Sequence, residues 1–325
     1  ATGVNPVERD KITIGEIVDA YLAWGRSEGK YVDQHYSQYN AHLKAKIHAL
    51  PVVELTPNLL SNLKAQLLKT PTGNTKYKKG TEKSNTAGKT RKTLAGQTVN
   101  NIFSFIRSAI NRAIATGTWR GVNPLSTKGG TWTMVKANNE RLRFLTREEA
   151  RALLDDLEKR HPQLHDMALL SLRTGLRPTE IFKLRGQDVD GNACGLYIIQ
   201  KGGKRVFVRV PEDMIQMLQA YKRKPAEPIF QQPRKKVAFE KTPACFQTAV
   251  RKLNLAPKDG DSLYAVTLHT MRHTFASWLA QSGKVSLMEL QKLMRHKNIT
   301  MTMRYAHLFP GQENEKLSII GDMLA

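Results

Sequence analysis

The first 127 residues contain several stretches in which apolar residues recur every three or four positions, which predicts amphipathic helices. The first stretch follows a capping box formed by Thr13 and Glu16. Its apolar stripe consists of Ile14, Ile17, Val18, Tyr21 and Leu22. Three further helices are predicted at about 32–47, 56–68 and 98–116. Four helices of this size predict a small helical bundle over 12–127, after a flexible lead-in at 1–11.

The pattern changes after residue 127. Residues 128–140 carry turn residues without helical periodicity and are predicted to be a linker. A second capping box, Thr146 with Glu149, then begins a new domain that we place at 141–325, including a C-terminal tail at 306–325.

The second domain contains a predicted β-hairpin as well as helices. Residues 195–200 and 205–210 are apolar or alternating, and the intervening Lys201-Gly-Gly-Lys204 predicts the turn. The predicted fold class is therefore mainly α with a small antiparallel β-sheet: an N-terminal helical bundle followed by a mixed α/β domain.

Charge adds the strongest compositional observation. The formal net charge of +23 favours a polyanionic partner, above all nucleic acid, over a basic protein without such a partner. Membrane-surface binding would require the charge on one amphipathic helix, whereas here it is spread along the chain. No apolar run has a membrane-spanning length and no leader is evident, so we expect a cytoplasmic, nucleoid-associated protein whose Cys194 and Cys245 are free thiols.

Two basic segments, 69–92 and 234–236, and the hairpin residue Lys204 are candidates for phosphate contacts. The stretch 69–92 is rich in Gly, Thr and Asn and lacks an apolar period, so it is either a solvated loop or a loop that orders along DNA; we favour the second. The candidate DNA-binding residues are Lys76, Lys78, Lys79, Lys83, Lys89, Arg91, Lys92, Lys204, Arg234, Lys235 and Lys236.

The candidate chemistry lies in the second domain. Arg177 precedes Pro178 and should project from a rigid corner between two helices. His269 and Arg272 share a helix face, and His296 and Tyr305 follow. Taken singly, such histidines and tyrosines are usually structural. Together they predict a cationic pocket for a phosphate with a tyrosine nucleophile at its edge. Walker, zinc and two-metal signatures are missing from the sequence, so we expect no metal and no cofactor.

These strings resemble the tyrosine recombinases of the phage-integrase family. His269-Thr-Met-Arg272 is similar to its His-x-x-Arg box, and Thr174-Gly-Leu-Arg177-Pro-Thr-Glu180 to its first arginine box. Leu293-Met-Arg-His296 and Met301-Thr-Met-Arg-Tyr305 match its second histidine and its nucleophile. The chain departs from the family at Arg295, often Gly, and at Thr270-Met271, often Asp-Leu.

The resemblance implies a site-specific DNA recombinase acting in phage or mobile-element integration and excision. Tyr305 would form a 3′-phosphotyrosyl link, while Arg177 and Arg272 bind the phosphate and His296 hydrogen-bonds it. His269 would transfer a proton near Tyr305, and Lys201, with Lys204 as the alternative, would protonate the leaving oxygen. Glu180 is expected to be a structural partner of the backbone or of an arginine.

By the same resemblance, residues 12–127 would be a core-binding domain. The protein would be a monomer when free and a homotetramer on double-stranded attachment sites, with accessory DNA-bending proteins. Leu317, Ile320 and Leu324 of the tail would pack on a neighbouring protomer or on their own domain. Two other functions stay open: a type IB topoisomerase-like enzyme, and a non-catalytic DNA-binding regulator.

Overall fold

The structure is a computed structural model that describes residues 11–71, 93–127, 132–136, 143–200, 203–256 and 264–310. The predicted cations at 76–92, Lys201 and the tail from residue 311 onward lie outside these ranges. The chain divides into two compact units, Ala1–Asn139 and Glu140–Ala325. Within the described ranges, no helix is both long enough and apolar enough to cross a membrane.

The first unit is a helical bundle. Its helices are α1 (Ile14–Ser27), α2 (Asp33–His42), α3 (Lys44–Ile47), α4 (Pro57–Lys69) and α5 (Gly96–Ala115). The predicted capping box forms, because Thr13 accepts a hydrogen bond from the Glu16 amide while the Glu16 carboxylate accepts one from Thr13. Helix α5 ends before Gly117, whose φ of 71° suits a residue without Cβ.

The prediction of a single helix at about 32–47 was wrong. The structure divides it at Leu43, whose φ of −125° departs from helical values. Leu43 is fully buried in the bundle core together with Tyr39 and Ile47. Burial of this side chain therefore outweighs the local preference to continue one helix.

The second unit contains helices around a small sheet. The helices are α6 (Arg147–Arg160), α7 (Pro162–Thr174), α8 (Pro178–Phe182), α9 (Glu212–Gln219), α10 (Cys245–Lys252), α11 (Leu268–Gln281), α12 (Leu287–Met294) and α13 (Thr300–Met303). The strands β1 (Val189–Asp190), β2 (Gly195–Ile199) and β3 (Arg205–Arg209) form an antiparallel sheet in the order β1-β2-β3. The predicted fold class, mainly α with a small antiparallel sheet, is thus confirmed.

Helix α11 is the element on which the second unit is assembled. Its residues Leu268 and Met271 belong to the main core, which also includes buried residues of α6 and α7. The backbone of Leu145 is fixed against α11: its N–H donates to Thr274 Oγ1 and its carbonyl accepts from Trp278 Nε1, both at 3.0 Å. The second, smaller cluster on α11 contains Ala276, Ala280, Leu290, Met294 and Tyr305. Helix α11 therefore contacts both the main core and the small cluster that contains Tyr305.

Candidate active site

The corner after α7 is shaped by Gly175. Its φ of 63° lies in the left-handed region, and a Cβ there would lie 2.6 Å from the Phe275 ring. The Gly175 carbonyl oxygen accepts hydrogen bonds from the Nη1 of Arg272 and, at 2.9 Å, from the Nη2 of Arg295. A backbone carbonyl at the turn therefore holds two guanidinium groups together.

Arg177 lies at the N-terminus of α8 and is held by Glu180. The carboxylate accepts a 2.8 Å hydrogen bond from the Arg177 backbone N–H and a 2.9 Å hydrogen bond from its Nη1. Glu180 is only 3% exposed, whereas the Arg177 side chain is 27% exposed. This arrangement fixes Arg177 while leaving part of its side chain accessible, and Glu180 has the structural contacts expected from the sequence.

Arg272 is the most deeply buried of the predicted site residues that the structure describes. Its side chain projects from α11, and Nη2 donates a 2.5 Å hydrogen bond to the Met294 carbonyl oxygen. Burial, together with the nearby Arg177 and Arg295, lowers the pKa of Arg272 to about 9. The group therefore remains a cation at neutral pH.

Arg295 joins the same cluster, which the sequence analysis did not predict. It caps α12 in the left-handed conformation with a φ of 52°. Besides the bond to Gly175, its Nη1 donates to the Leu293 carbonyl oxygen at 2.9 Å, and Nη2 lies 3.8 Å from Glu180 Oε2. Burial lowers the pKa of Arg295. The Glu180 carboxylate raises this pKa, whereas the charge of Arg177 lowers it further. The departure from the family pattern thus places an additional cation beside Arg272.

The Glu180 carboxylate pairs with two guanidinium groups, those of Arg177 and Arg295. Arg272 shares the Gly175 carbonyl oxygen with Arg295, so three guanidinium groups lie close to one carboxylate. Such an excess of positive charge is costly in a buried site unless an anion compensates it. Guanidinium groups bind phosphate oxygens through paired N–H donors, and each has five such donors. The cluster is therefore suited to an oxyanion such as a phosphodiester.

His296 lies two residues after α12, next to the guanidinium cluster. Its Nδ1 is 2.9 Å from the hydroxyl of Thr302, which is fully buried. The carbonyl oxygen of His296 accepts a hydrogen bond from the Gln291 side-chain amide. Burial and then the charges of Arg272 and Arg177 lower the pKa of His296 to about 3. His296 is therefore a neutral hydrogen-bonding group at physiological pH.

Tyr305 is 4% exposed and lies in the small apolar cluster on α11. Burial raises the pKa of its hydroxyl to about 12, although Arg304 and Arg272 act in the opposite direction. The hydroxyl is 2.6 Å from the Nδ1 of His273, which is itself 8% exposed. The ring of His269, one turn earlier on α11, meets the His273 ring edge-on with centroids 4.9 Å apart.

The structure thus assembles Arg177, Arg272, His296 and Tyr305 in one region, with His269 joined to Tyr305 through His273. Sequence analysis missed two residues of this region, His273, which directly follows the string His269–Arg272, and Arg295, which lies inside the string Leu293–His296. Lys204 is exposed, and the Gln200 N–H donates to its carbonyl oxygen at 2.9 Å across the hairpin turn. The basic string of Arg234, Lys235 and Lys236 is exposed and lies in a turn, and it takes no part in the hydrogen bonds described above for the site.

Comparison with known proteins gives a consistent result. The profile of the phage integrase family matches residues 143–312, more than half of the chain. A putative integrase of Pseudomonas phage Pf1 is 28% identical over 217 residues, which are 66% of this chain and 58% of that protein. The chain thus spans less than three fifths of the length of the curated phage relatives it matches.

Two solved structures share the fold. The Tn1549 transposon integrase in complex with transposon right end DNA has a TM-score of 0.65 at 17% identity and covers 97% of this chain and 100% of that chain. A lambda integrase tetramer bound to a Holliday junction has a TM-score of 0.59 at 17% identity and covers 93% of this chain and 80% of that chain. At these identities, the likeness establishes the architecture.

Proposed function

The chain belongs to the phage integrase family, and we propose that it is a site-specific DNA recombinase that cleaves and rejoins DNA through Tyr305. The observation that carries this proposal is the cluster of three guanidinium groups around the buried Glu180 carboxylate, beside a buried tyrosine. The net charge of +23 supports double-stranded DNA as the partner. The solved relatives bound to DNA, one of them as a tetramer on a Holliday junction, support a homotetramer on paired DNA sites.

The proposed first step is an in-line transesterification. Arg177 and Arg272 bind the nonbridging oxygens of the scissile phosphate, and the neutral His296 adds a hydrogen bond. The Tyr305 oxygen forms a bond to phosphorus as the bond to the 5′-oxygen breaks. Lys201 gives its proton to that leaving oxygen.

Religation reverses this step. The 5′-hydroxyl of the same or a partner strand attacks the 3′-phosphotyrosyl link and releases Tyr305. The covalent link retains the energy of the phosphodiester bond, so neither a nucleotide nor a metal ion is required. The fixed cations stabilise the charge of the pentavalent transition state in both directions.

The experiment is adduct formation on a nicked suicide substrate. The wild-type protein should give an SDS-stable protein–DNA band, including in excess EDTA. Tyr305→Phe should bind the same DNA without forming the band, because only the attacking oxygen is removed. A band with the Phe variant would refute the nucleophile, and loss of the wild-type band in EDTA with recovery in Mg²⁺ would refute the metal-free step.

The same preparation distinguishes the two other functions. A topoisomerase-like enzyme would relax supercoiled plasmid without exchanging partner strands, and a regulator would bind DNA without any adduct. Recombination between two copies of the attachment site is the expected result.

A further inference from the structure

The nucleophile of the proposed reaction is already engaged by a side chain that the sequence pattern did not single out. Tyr305 Oη and His273 Nδ1 are 2.6 Å apart, and both residues are buried. Tyrosine attack on a phosphate requires loss of the hydroxyl proton, and a group within hydrogen-bond distance of that hydroxyl is placed to receive it. We propose that His273 is the catalytic residue that accepts the Tyr305 proton during cleavage.

This proposal rests on the proposed function and assigns one proton within it. Before attack, Nδ1 of His273 is unprotonated and Nε2 carries the ring hydrogen. The Oη–H bond breaks with transfer of the proton to Nδ1, the Oη–P bond forms, and the P–O5′ bond breaks as the leaving oxygen takes a proton from the general acid. During religation the imidazolium returns its proton to Oη as the Oη–P bond breaks.

The environment of Tyr305 makes such an acceptor necessary. Burial raises the pKa of the tyrosine to about 12, so the hydroxyl is protonated at neutral pH. The nearby cations, Arg304 and Arg272, favour the phenolate but do not accept a proton. An imidazole in direct contact supplies the acceptor without moving the nucleophile.

The placement of the two histidines on α11 separates their roles. His269 and His273 are four residues apart and share one helix face, with their rings in edge-on contact. His273 is buried against Tyr305, whereas His269 is half-buried at the beginning of the helix. Of the two rings, the geometry therefore gives the tyrosine proton to that of His273, which is in direct contact with the hydroxyl.

The test uses His273→Asn in the full chain, because an asparagine amide can occupy the position of Nδ1 and bind Oη but cannot accept its proton. DNA binding and thermal unfolding should stay near wild type. The single-turnover rate of adduct formation should fall by about 10²–10⁴-fold, the usual contribution of a general base. His269→Asn is the matched control.

A second readout separates proton transfer from packing. 3-Fluorotyrosine at position 305 lowers the pKa of the nucleophile and reduces its need for a base. It should restore much of the cleavage rate in His273→Asn and little in His269→Asn. His273→Gln, tested in the same way, provides a second variant if the Asn variant is unfolded.

Three results would overturn the proposal. The first is a folded His273 variant that cleaves at the wild-type rate. The second is a folded His273 variant whose cleavage rate the fluorotyrosine does not restore. The third is a fluorotyrosine effect that restores the cleavage rate of His269→Asn alone. Failure of the wild-type protein to form any adduct would instead refute the proposed function itself.

Discussion

The Nη2 of Arg295 lies 2.9 Å from the carbonyl oxygen of Gly175 and so connects the cap of α12 to the corner after α7. Both residues adopt left-handed backbone conformations, with φ of 52° and 63°. For an arginine that conformation costs about 1–2 kcal/mol. Hydrogen bonds from a charged group contribute about 1.5–3 kcal/mol each, so the side-chain contacts of Arg295 offset the cost of its backbone.

Replacement of Arg295 by glycine should separate fold from function. Arg295→Gly relieves the backbone conformation but removes two charged hydrogen bonds, so the free energy of unfolding should fall by about 1–5 kcal/mol. Adduct formation on the suicide substrate should slow, because Arg272 and the Gly175 carbonyl lose a neighbour that fixes them. Equal cleavage rates for the glycine variant and the wild type would show that Arg295 has no part in the site.

Glu180 should be essential for stability because its carboxylate is the anion bound to both Arg177 and Arg295. Removing one partner from a buried ion pair costs about 3–5 kcal/mol, which is the expected loss for Glu180→Gln in urea unfolding. The exposed pair of Arg173 and Asp213 provides the control, and Asp213→Asn should cost less than about 1 kcal/mol. Added sulfate should stabilise Glu180→Gln more than the wild type; similar effects on both would contradict the charge argument.

The histidine beside the cluster predicts a pH dependence of stability. The pKa of His296 falls from 6.5 to about 3 on folding, so between these values the unfolded chain binds a proton that the folded chain excludes. The contribution of His296 is therefore fully present above about pH 6.5 and is lost progressively as the pH falls towards 3. His296→Asn keeps a polar group beside Thr302 but does not titrate. Between about pH 7 and pH 5 its free energy of unfolding should decline less than that of the wild type, and identical slopes would contradict the buried neutral imidazole.

Local sequence rules predicted features whose causes are local. The capping boxes at Thr13 and Thr146 are complete in the structure, and the Arg177 corner follows directly from the proline that succeeds it. The contact between Glu180 and Arg177 was also predictable, since three residues separate them at a helix start.

The features that were missed depend on contacts between distant segments. His273 and Tyr305 are separated by 32 residues, and only the packing of α12 and of the segment around Tyr305 on α11 shows that the tyrosine meets this histidine. Strand β1 has only two residues, too few for an alternating pattern, and it forms by pairing with β2. Leu43 interrupts its helix because of the bundle core around it.

Lys201 stays a prediction, and Lys204 provides its matched control. A 5′-bridging sulfur is a better leaving group that needs little protonation, so such a substrate should restore cleavage by Lys201→Ala and leave Arg177→Ala inactive. Lys204→Ala should cleave normal DNA at nearly the wild-type rate. Restoration of Lys204→Ala, with Lys201→Ala active on normal DNA, would reverse the assignment.

The basic segment between α4 and α5 should supply affinity without sequence preference, because phosphates carry no base information. Replacing Lys76, Lys78, Lys79 and Lys83 with Gln should weaken binding to all DNA sequences equally. The slope of log affinity against log salt should flatten by about one unit for each lysine–phosphate interaction that the substitutions remove. The control changes four exposed lysines of the second unit, Lys159, Lys222, Lys224 and Lys241, and so lowers the net charge by the same amount. A loop that contacts phosphates changes the slope in the first variant alone, whereas a general effect of net charge changes both variants alike. An unchanged slope in the loop variant would identify the segment as a solvated connection.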